Sequence, residues 1–384
     1  MTIIVAGYII GYPLGGMTWH HLQYLAGLHA MGHEVWFYED SGQWLTPYNP
    51  VSNVCEPDPS YGIAYLKQAA ESIGLPLRYC YYSELLDTYY GTERKAWLEV
   101  LKRADVLLAV SGVTPWREEF GEVKRTCVID TDPVFTQLRM IDDESFKAYY
   151  KKFDCVATFG RLIGTAKCVL PAHGFDWIAT NQPVALSHWP VVSTPGGAFS
   201  TIGKWDHGPG RAFDFNGQTF QSSKGVEWNK LIDLPGQVPY RLELAMASTP
   251  ADVQSAFEAR GWKFVDATAA SISTDAFRAF VQSQAGEFTV AKQIYAGLPS
   301  GWFSDRSACF LSSGKPVVTQ SSGFEQWLPI GEGLFSFSSS DEAAAALNTI
   351  SADYDRHARA ARRIAESYFD ARLVLQALLN RVIS

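Results

Sequence analysis

The sequence predicts an α/β protein of two doubly wound, Rossmann-like domains. Three observations carry this. The chain opens as strand, glycine-rich loop, helix, strand. Strands and helices then alternate to about residue 159. After a proline-punctuated stretch, a second alternating series runs to the C-terminus. A length of 384 residues, 47% of them hydrophobic and 19% charged, suits two domains with sizeable cores.

Residues 3–6 read as the first buried strand, followed by the loop AGYIIGYPLGG. Thr18 is placed to cap a helix that runs to about Met31 with Leu22, Leu25, Ala26 and Leu28 on one face. Gly32 stops it, and Glu34–Tyr38 is the next strand. These glycines do not spell GxGxxG, so a dinucleotide fingerprint is not supported. Four prolines make 43–59 a loop or lid. Helices follow at 63–73, 95–103 and 143–152, and strands at 105–110, 126–129 and 155–159. The boundary falls near Asn181-Gln182-Pro183, dividing a domain of 1–182 from one of 183–352. In the second series, 184–186 and 191–192 read as short strands and 203–210 as a glycine-rich loop. Strands are expected at 241–247, 262–265, 287–291 and 334–337. Helices are expected at 226–232, 251–259, 274–282 and 341–350, with one long helix over 352–382.

A net charge of −8, with no basic stripe, speaks against a nucleic-acid partner. Six scattered cysteines without a CxxC pair give neither a zinc ribbon nor a disulfide framework. No signal peptide and no apolar run of about 20 residues is evident, so a cytoplasmic protein without a transmembrane segment is expected. Twelve tryptophans are more than cores usually need and suggest an aromatic-lined cleft.

The stretch SGWFSDRSACFLSSGKPVVTQSSG, 300–323, reads as loop, helix, glycine stop and parallel strand. Ser304 is the N-cap candidate and Asp305 sits in the first turn. Free N–H groups there, with Arg306 adjacent, suit a diphosphate-bearing ligand. Asp130 and Asp132 follow a strand at its carboxyl end, where α/β proteins bind ligands. His20 and His21 follow the first glycine loop, and adjacent helical residues point about 100° apart, so at most one faces a cleft. In GKWDHGPG, Trp205 is a candidate for stacking on a sugar, with Asp206 and His207 for hydrogen bonds to it.

The segments GYPLGGMTWHHLQYLAGLHAMGHEV (11–35), VIDTDPVFTQ (128–137), HGFDWIATNQPVAL (173–186), GEFTVAKQIY (286–295), 300–324 and LPIGEGL (328–334) resemble the GT-B glycosyltransferases, within them the bacterial CgeB-like or family-one-type group. The resemblance implies two Rossmann-like domains facing across a cleft, with the acceptor mainly on the first. It implies a nucleotide-sugar donor on the second, and a C-terminal helix, 353–384, crossing back to the first. It implies metal-independent transfer of a sugar to a small-molecule, lipid or glycan hydroxyl, with no cofactor beyond the donor. His20 or His21 would be the base, oriented by Asp130 or Asp132, one of which could instead take the acceptor's proton directly. Gly15, Gly16, Lys224, Ser304 and Arg306 would hold the donor. Two glutamates common in that group fall at Gly301 and Cys309 here, which leaves Asp305 and Glu287 as stand-ins. A nucleotide-sugar epimerase and a non-catalytic sugar binder are the alternative readings.

Overall fold

The structure, a computed structural model, describes residues 1–43, 46–205 and 212–384. The first half contains β1 (Thr2–Ala6), α1 (Gly15–Ala30), β2 (Glu34–Asp40) and a small hairpin of β3 (Tyr48–Asn49) and β4 (Val54–Cys55). There follow α2 (Ser60–Ser72), β5 (Tyr79–Ser83), β6 (Thr88–Tyr90), α3 (Arg94–Arg103), β7 (Val106–Val110) and β8 (Thr126–Asp130). The half closes with α4 (Phe135–Asp142), α5 (Glu144–Tyr150), β9 (Cys155–Thr158) and β10 (Trp177–Ala179). Its strands form one sheet in the order β10-β9-β8-β7-β1-β2-β5-β6, parallel except for β6.

The second half runs β11 (Phe199–Lys204), the hairpin β12 (Ala212–Phe215) and β13 (Gln218–Gln221), α6 (Gly225–Asn229), β14 (Leu242–Ala247), α7 (Ala251–Glu258), β15 (Lys263–Phe264) and α8 (Thr274–Ser283). It continues with β16 (Gly286–Thr289), α9 (Gln293–Gly297), α10 (Asp305–Ser312), β17 (Val317–Gln320), β18 (Leu334–Phe337) and α11 (Ser340–Ala352). Its main sheet is all parallel, in the order β15-β14-β11-β16-β17-β18. Both sheets reverse strand order beside their first strand, between β1 and β7 and between β11 and β16. Such a reversal opens a crevice at the carboxyl ends of the strands.

The buried strands β1 and β7 are apolar throughout, as a parallel strand covered on both faces requires. The long expected helix over 352–382 is two helices, α12 (Tyr354–Tyr368) and α13 (Ala371–Ile383). The chain turns at Phe369-Asp370, and the Asp370 side chain caps α13. α13 packs on α1: a Cβ on Gly27 would lie 2.7 Å from Ala371 and Leu375.

Other expectations fail for identifiable reasons. Thr18 lies inside α1, which begins at Gly15 with Leu14 as N-cap. The segments 184–186 and 191–192 form no strand; Val184 makes a single bridge to Asp370, between prolines that break pairing. The real first strand of the second half is β11, FSTIGK, which includes Gly203. Its Ser200 and Thr201 are fully buried, so small polar residues hide a central strand that apolar pattern would otherwise reveal. Helix α4 was not expected at all. Among the described residues, no helix is long and apolar enough to cross a membrane.

Candidate active site

Every residue of α1 from Thr18 to Leu28 is buried, because the helix is packed between its own sheet, α8 and α13. A helix enclosed on all sides has no solvent stripe, and its two histidines therefore meet different neighbours. His21 turns into the first half. Its Nδ1 lies 3.0 Å from the Met17 carbonyl, and its Nε2 lies 3.4 Å from the Tyr8 N–H. Nδ1 therefore donates and Nε2 accepts. Burial, then the neighbouring His20, push the His21 pKa down to about 3, so it is neutral. His21 is a packing residue and is corrected from the candidate bases.

His20 turns the other way. Its Nδ1 is 3.4 Å from Asp305 Oδ2 on the second half, and its Nε2 is 3.4 Å from Ser111 Oγ at the end of β7. Burial by itself would raise Asp305. The His20 imidazole and then Arg306 outweigh it and hold the carboxyl at about 2. Asp305 is therefore an ionised group facing Nδ1 without a formed hydrogen bond, while Nε2 lies against the Ser111 hydroxyl, which a substrate hydroxyl would have to replace. His20, Gln23, Asp305, Arg306 and Cys309 line a cavity of about 10 Å³, room for about one water.

The glycine loop leading into α1 is shaped by a residue that the sequence reading passed over. Glu39, at the end of β2, accepts from the N–H groups of Ile9 (2.6 Å), Ile10 (2.7 Å) and Gly11 (2.6 Å). Burial pushes its pKa up to about 7 against the pull of those three donors. The strand had been ended at Tyr38, one residue short of this carboxylate. Gly15 and Gly16, expected to hold the donor, instead let the halves touch. A Cβ on Gly15 would lie 2.3 Å from the Ser273 carbonyl oxygen, and one on Gly16 3.1 Å from Phe277.

The two aspartates after β8 part company. Asp130 is buried and accepts from Thr136 Oγ1 (2.7 Å), Thr158 Oγ1 (2.9 Å), Gln137 Nε2 (3.2 Å) and the Asp132 N–H (3.2 Å). Burial raises its pKa to about 6 despite these bonds. It ties the strand ends together and does not orient His20; Asp305 stands there. Asp132 is exposed, takes a 2.6 Å hydrogen bond from Tyr295 and lies 3.7 Å from Lys292, both from the second half. Two residues after Asp132, Val134 adopts φ 78°, ψ −60°, a strained γ-turn for a β-branched residue of the kind that collects at functional loops.

On the second half, Arg306 is a bracket. Nε bonds Glu287 at 2.5 Å, Nη1 the Ile202 carbonyl at 3.0 Å and Nη2 Thr289 Oγ1 at 3.0 Å. Glu287 is fully buried beneath it, so the pair ties β11, β16 and α10 together and neither offers the main face to a ligand. Ser304 holds the N-cap position of α10, but its hydroxyl makes no cap bond and points to Asp305 Oδ1 at 3.3 Å. Lys224, the N-cap residue of α6, has no ion pair among the described residues. Burial, then Arg306 and Lys292, push its pKa well down, which favours the neutral amine until an anion arrives. A Cβ on Gly203 would sit 3.8 Å from Arg306 Nη1 and 4.0 Å from Lys224 Nζ, which places both cations at the switch point of the second sheet.

Trp205 is not a sugar platform. It is buried in the core, edge-on to Phe257, and a Cβ on Gly225 would lie 2.5 Å from its Nε1. Asp206 and His207 lie outside the described residues.

No family model and no functionally curated protein matches this sequence. Solved structures do match in shape. An α-glucosyltransferase in complex with UDP aligns over all of both chains at 9% identity with a TM-score of 0.61. Anabaena HepE in complex with UDP-glucose aligns over 99% of each chain at 13% identity with a TM-score of 0.56. AviGT4, a glycosyltransferase of avilamycin A biosynthesis, covers all of this chain and 97% of its own at 11% identity, with a TM-score of 0.52. With two parallel sheets of matching strand order meeting at their switch points, the chain has the GT-B fold of these glycosyltransferases.

Proposed function

We propose that the protein is a glycosyltransferase that moves a sugar from a nucleoside-diphosphate donor to an acceptor hydroxyl held between the two halves. The observation that carries the reading is the meeting of His20 and Asp305 across the halves, beside Lys224, which has no ion pair among the described residues. Similar structures that hold UDP or UDP-glucose support the donor class.

In this reading Asp305 accepts from His20 Nδ1 and fixes the tautomer, and Nε2 removes the acceptor's proton. Lys224 and the free N–H groups of the α10 N-terminus neutralise the leaving diphosphate, a task that needs no metal here. Arg306 and Glu287 keep that N-terminus in place. A cavity of about 10 Å³ cannot admit a sugar nucleotide, so the donor enters with the halves apart and closure brings His20 to Asp305.

The test is thermal stability of the protein against UDP, GDP, dTDP, ADP and CDP, with and without a chelator. One diphosphate at about 100 times its Kd should stabilise by about 2.7 kcal/mol, chelator or not. No shift with any of them would refute the donor site, and a shift abolished by chelation would refute metal independence.

A further inference from the structure

A second pocket, of about 780 Å³, opens where β17 ends, and none of its lining residues lines the His20–Asp305 cavity. Its walls include Gln218 and Phe220 of β13, Glu227 of α6 and Lys230 just after it, Gln293 of α9 and Gln320 at the end of β17. The volume lies within the range of about 300–1,000 Å³ found for ligand sites.

The chemistry of the walls is selective. Glu227 is only 2% exposed. Both its oxygens bond Lys230 Nζ, at 2.7 and 2.8 Å, and Gln320 Nε2 donates to it at 2.5 Å. Lys230, the one cation on these walls among the described residues, is thus already neutralised, and an anionic ligand finds no free charge among them. The Gln320 carbonyl oxygen is occupied by the Ala291 N–H at 3.2 Å, so this side of the pocket is fixed. Gln293 uses its carbonyl oxygen on the Gln221 N–H at 2.7 Å and leaves its NH₂ group open, while the Gln218 amide has no partner among the described residues. An apolar ligand would strip water from these amides at a cost of about 1–3 kcal/mol each. Phe220 is buried and pressed against Gly297, whose Cβ would lie 2.5 Å from its ring, so no open aromatic face waits for a nucleobase. What remains complementary is a neutral ligand rich in both donors and acceptors.

We propose that this pocket is a second saccharide site that takes a neutral sugar unit distinct from the donor's. Gln320 also lines a small cavity shared with Ser304 and Arg306, so the pocket and the donor site have a wall in common. A sugar chain bound there would lie alongside the transfer site.

The test is saturation-transfer NMR of the full chain with the methyl glycosides of glucose, galactose, mannose and N-acetylglucosamine. At least one should give a signal in the wild type. That signal should weaken at least tenfold in Gln218→Ala/Gln293→Ala and in Ser338→Trp, which fills the pocket from an exposed position and so keeps the test valid if the double variant misfolds. It should persist in Lys224→Met, where the donor site is broken. No signal with any glycoside, or a signal that survives Ser338→Trp, overturns the proposal. A signal lost in Lys224→Met also overturns it, because the sugar is then in the donor subsite. Failure of the donor reading shows separately, in the nucleotide shifts.

Discussion

The two switch points are built from the same strand order but finished differently. In the first half each ionisable group at the strand ends is answered. Glu39 takes three backbone N–H groups, Asp130 takes four donors, and His21 both donates and accepts. In the second half Arg306 is answered by Glu287, but Lys224 is left half-buried, with its charged form disfavoured and without a counter-ion among the described residues. A satisfied crevice is rigid and electrically quiet, whereas an unbalanced one attracts an anion. In the proposed reaction the difference would give the frame and the proton acceptor to the first half and the diphosphate to the second.

The largest expected effect comes from the residue at which the halves meet. His20→Ala should lower the transfer rate by about 10²–10⁴-fold, the range for general-base loss, with nucleoside-diphosphate affinity unchanged. Equal loss of both in a folded variant would mean that His20 holds the donor instead. Lys224→Met sharpens the contrast between the crevices. It should weaken nucleoside-diphosphate binding by about 1.5–3 kcal/mol, the scale of a charged hydrogen bond. It should also raise the melting temperature, because it replaces a desolvated amine that has no counter-ion among the described residues. Calorimetry and a melting curve read the two arms, and a destabilised variant would show that Lys224 has a structural partner.

Glu39→Gln tests the quiet side. An amide oxygen replaces a carboxylate that takes three N–H donors, so stability should fall by about 1–3 kcal/mol in denaturant titration. An unchanged midpoint would show that the loop keeps its shape unaided.

The smallest effect is a pH dependence. His21 has a folded pKa of about 3, against an ordinary 6.5. Between those values the unfolded chain binds the extra proton, so its contribution is full above about 6.5 and is lost as pH falls toward 3. The stability advantage of wild type over His21→Asn should therefore shrink from pH 7 to pH 5. A gap that stays constant would show that His21 titrates alike in the folded and unfolded chain.

Much of the fold was legible because apolar strands such as VLLAV and glycine stops such as Gly32 and Gly314 act locally. The N-terminus of α10 was equally plain in the Ser304-Asp305-Arg306 run. What the sequence alone determined was therefore the α/β alternation, the two series and the start of α10. It also limited the histidine pair to one cleft-facing member, since helical neighbours diverge by about 100°.

Only the tertiary structure decided which histidine that is, because α13 and α8 enclose α1 and leave His20 alone toward Asp305. It turned Arg306 from ligand to bracket, and Trp205 from platform to core, through partners 17 to 104 positions away for the arginine and about 50 for the tryptophan. It also revealed β11, whose serine and threonine carry no apolar signal yet lie at the centre of a sheet. Helix phase and turn chemistry are local and can be read from neighbours in the chain. The partner that saturates a charge, or leaves it open, is fixed by packing between distant segments, and here that is what separates a structural residue from a site.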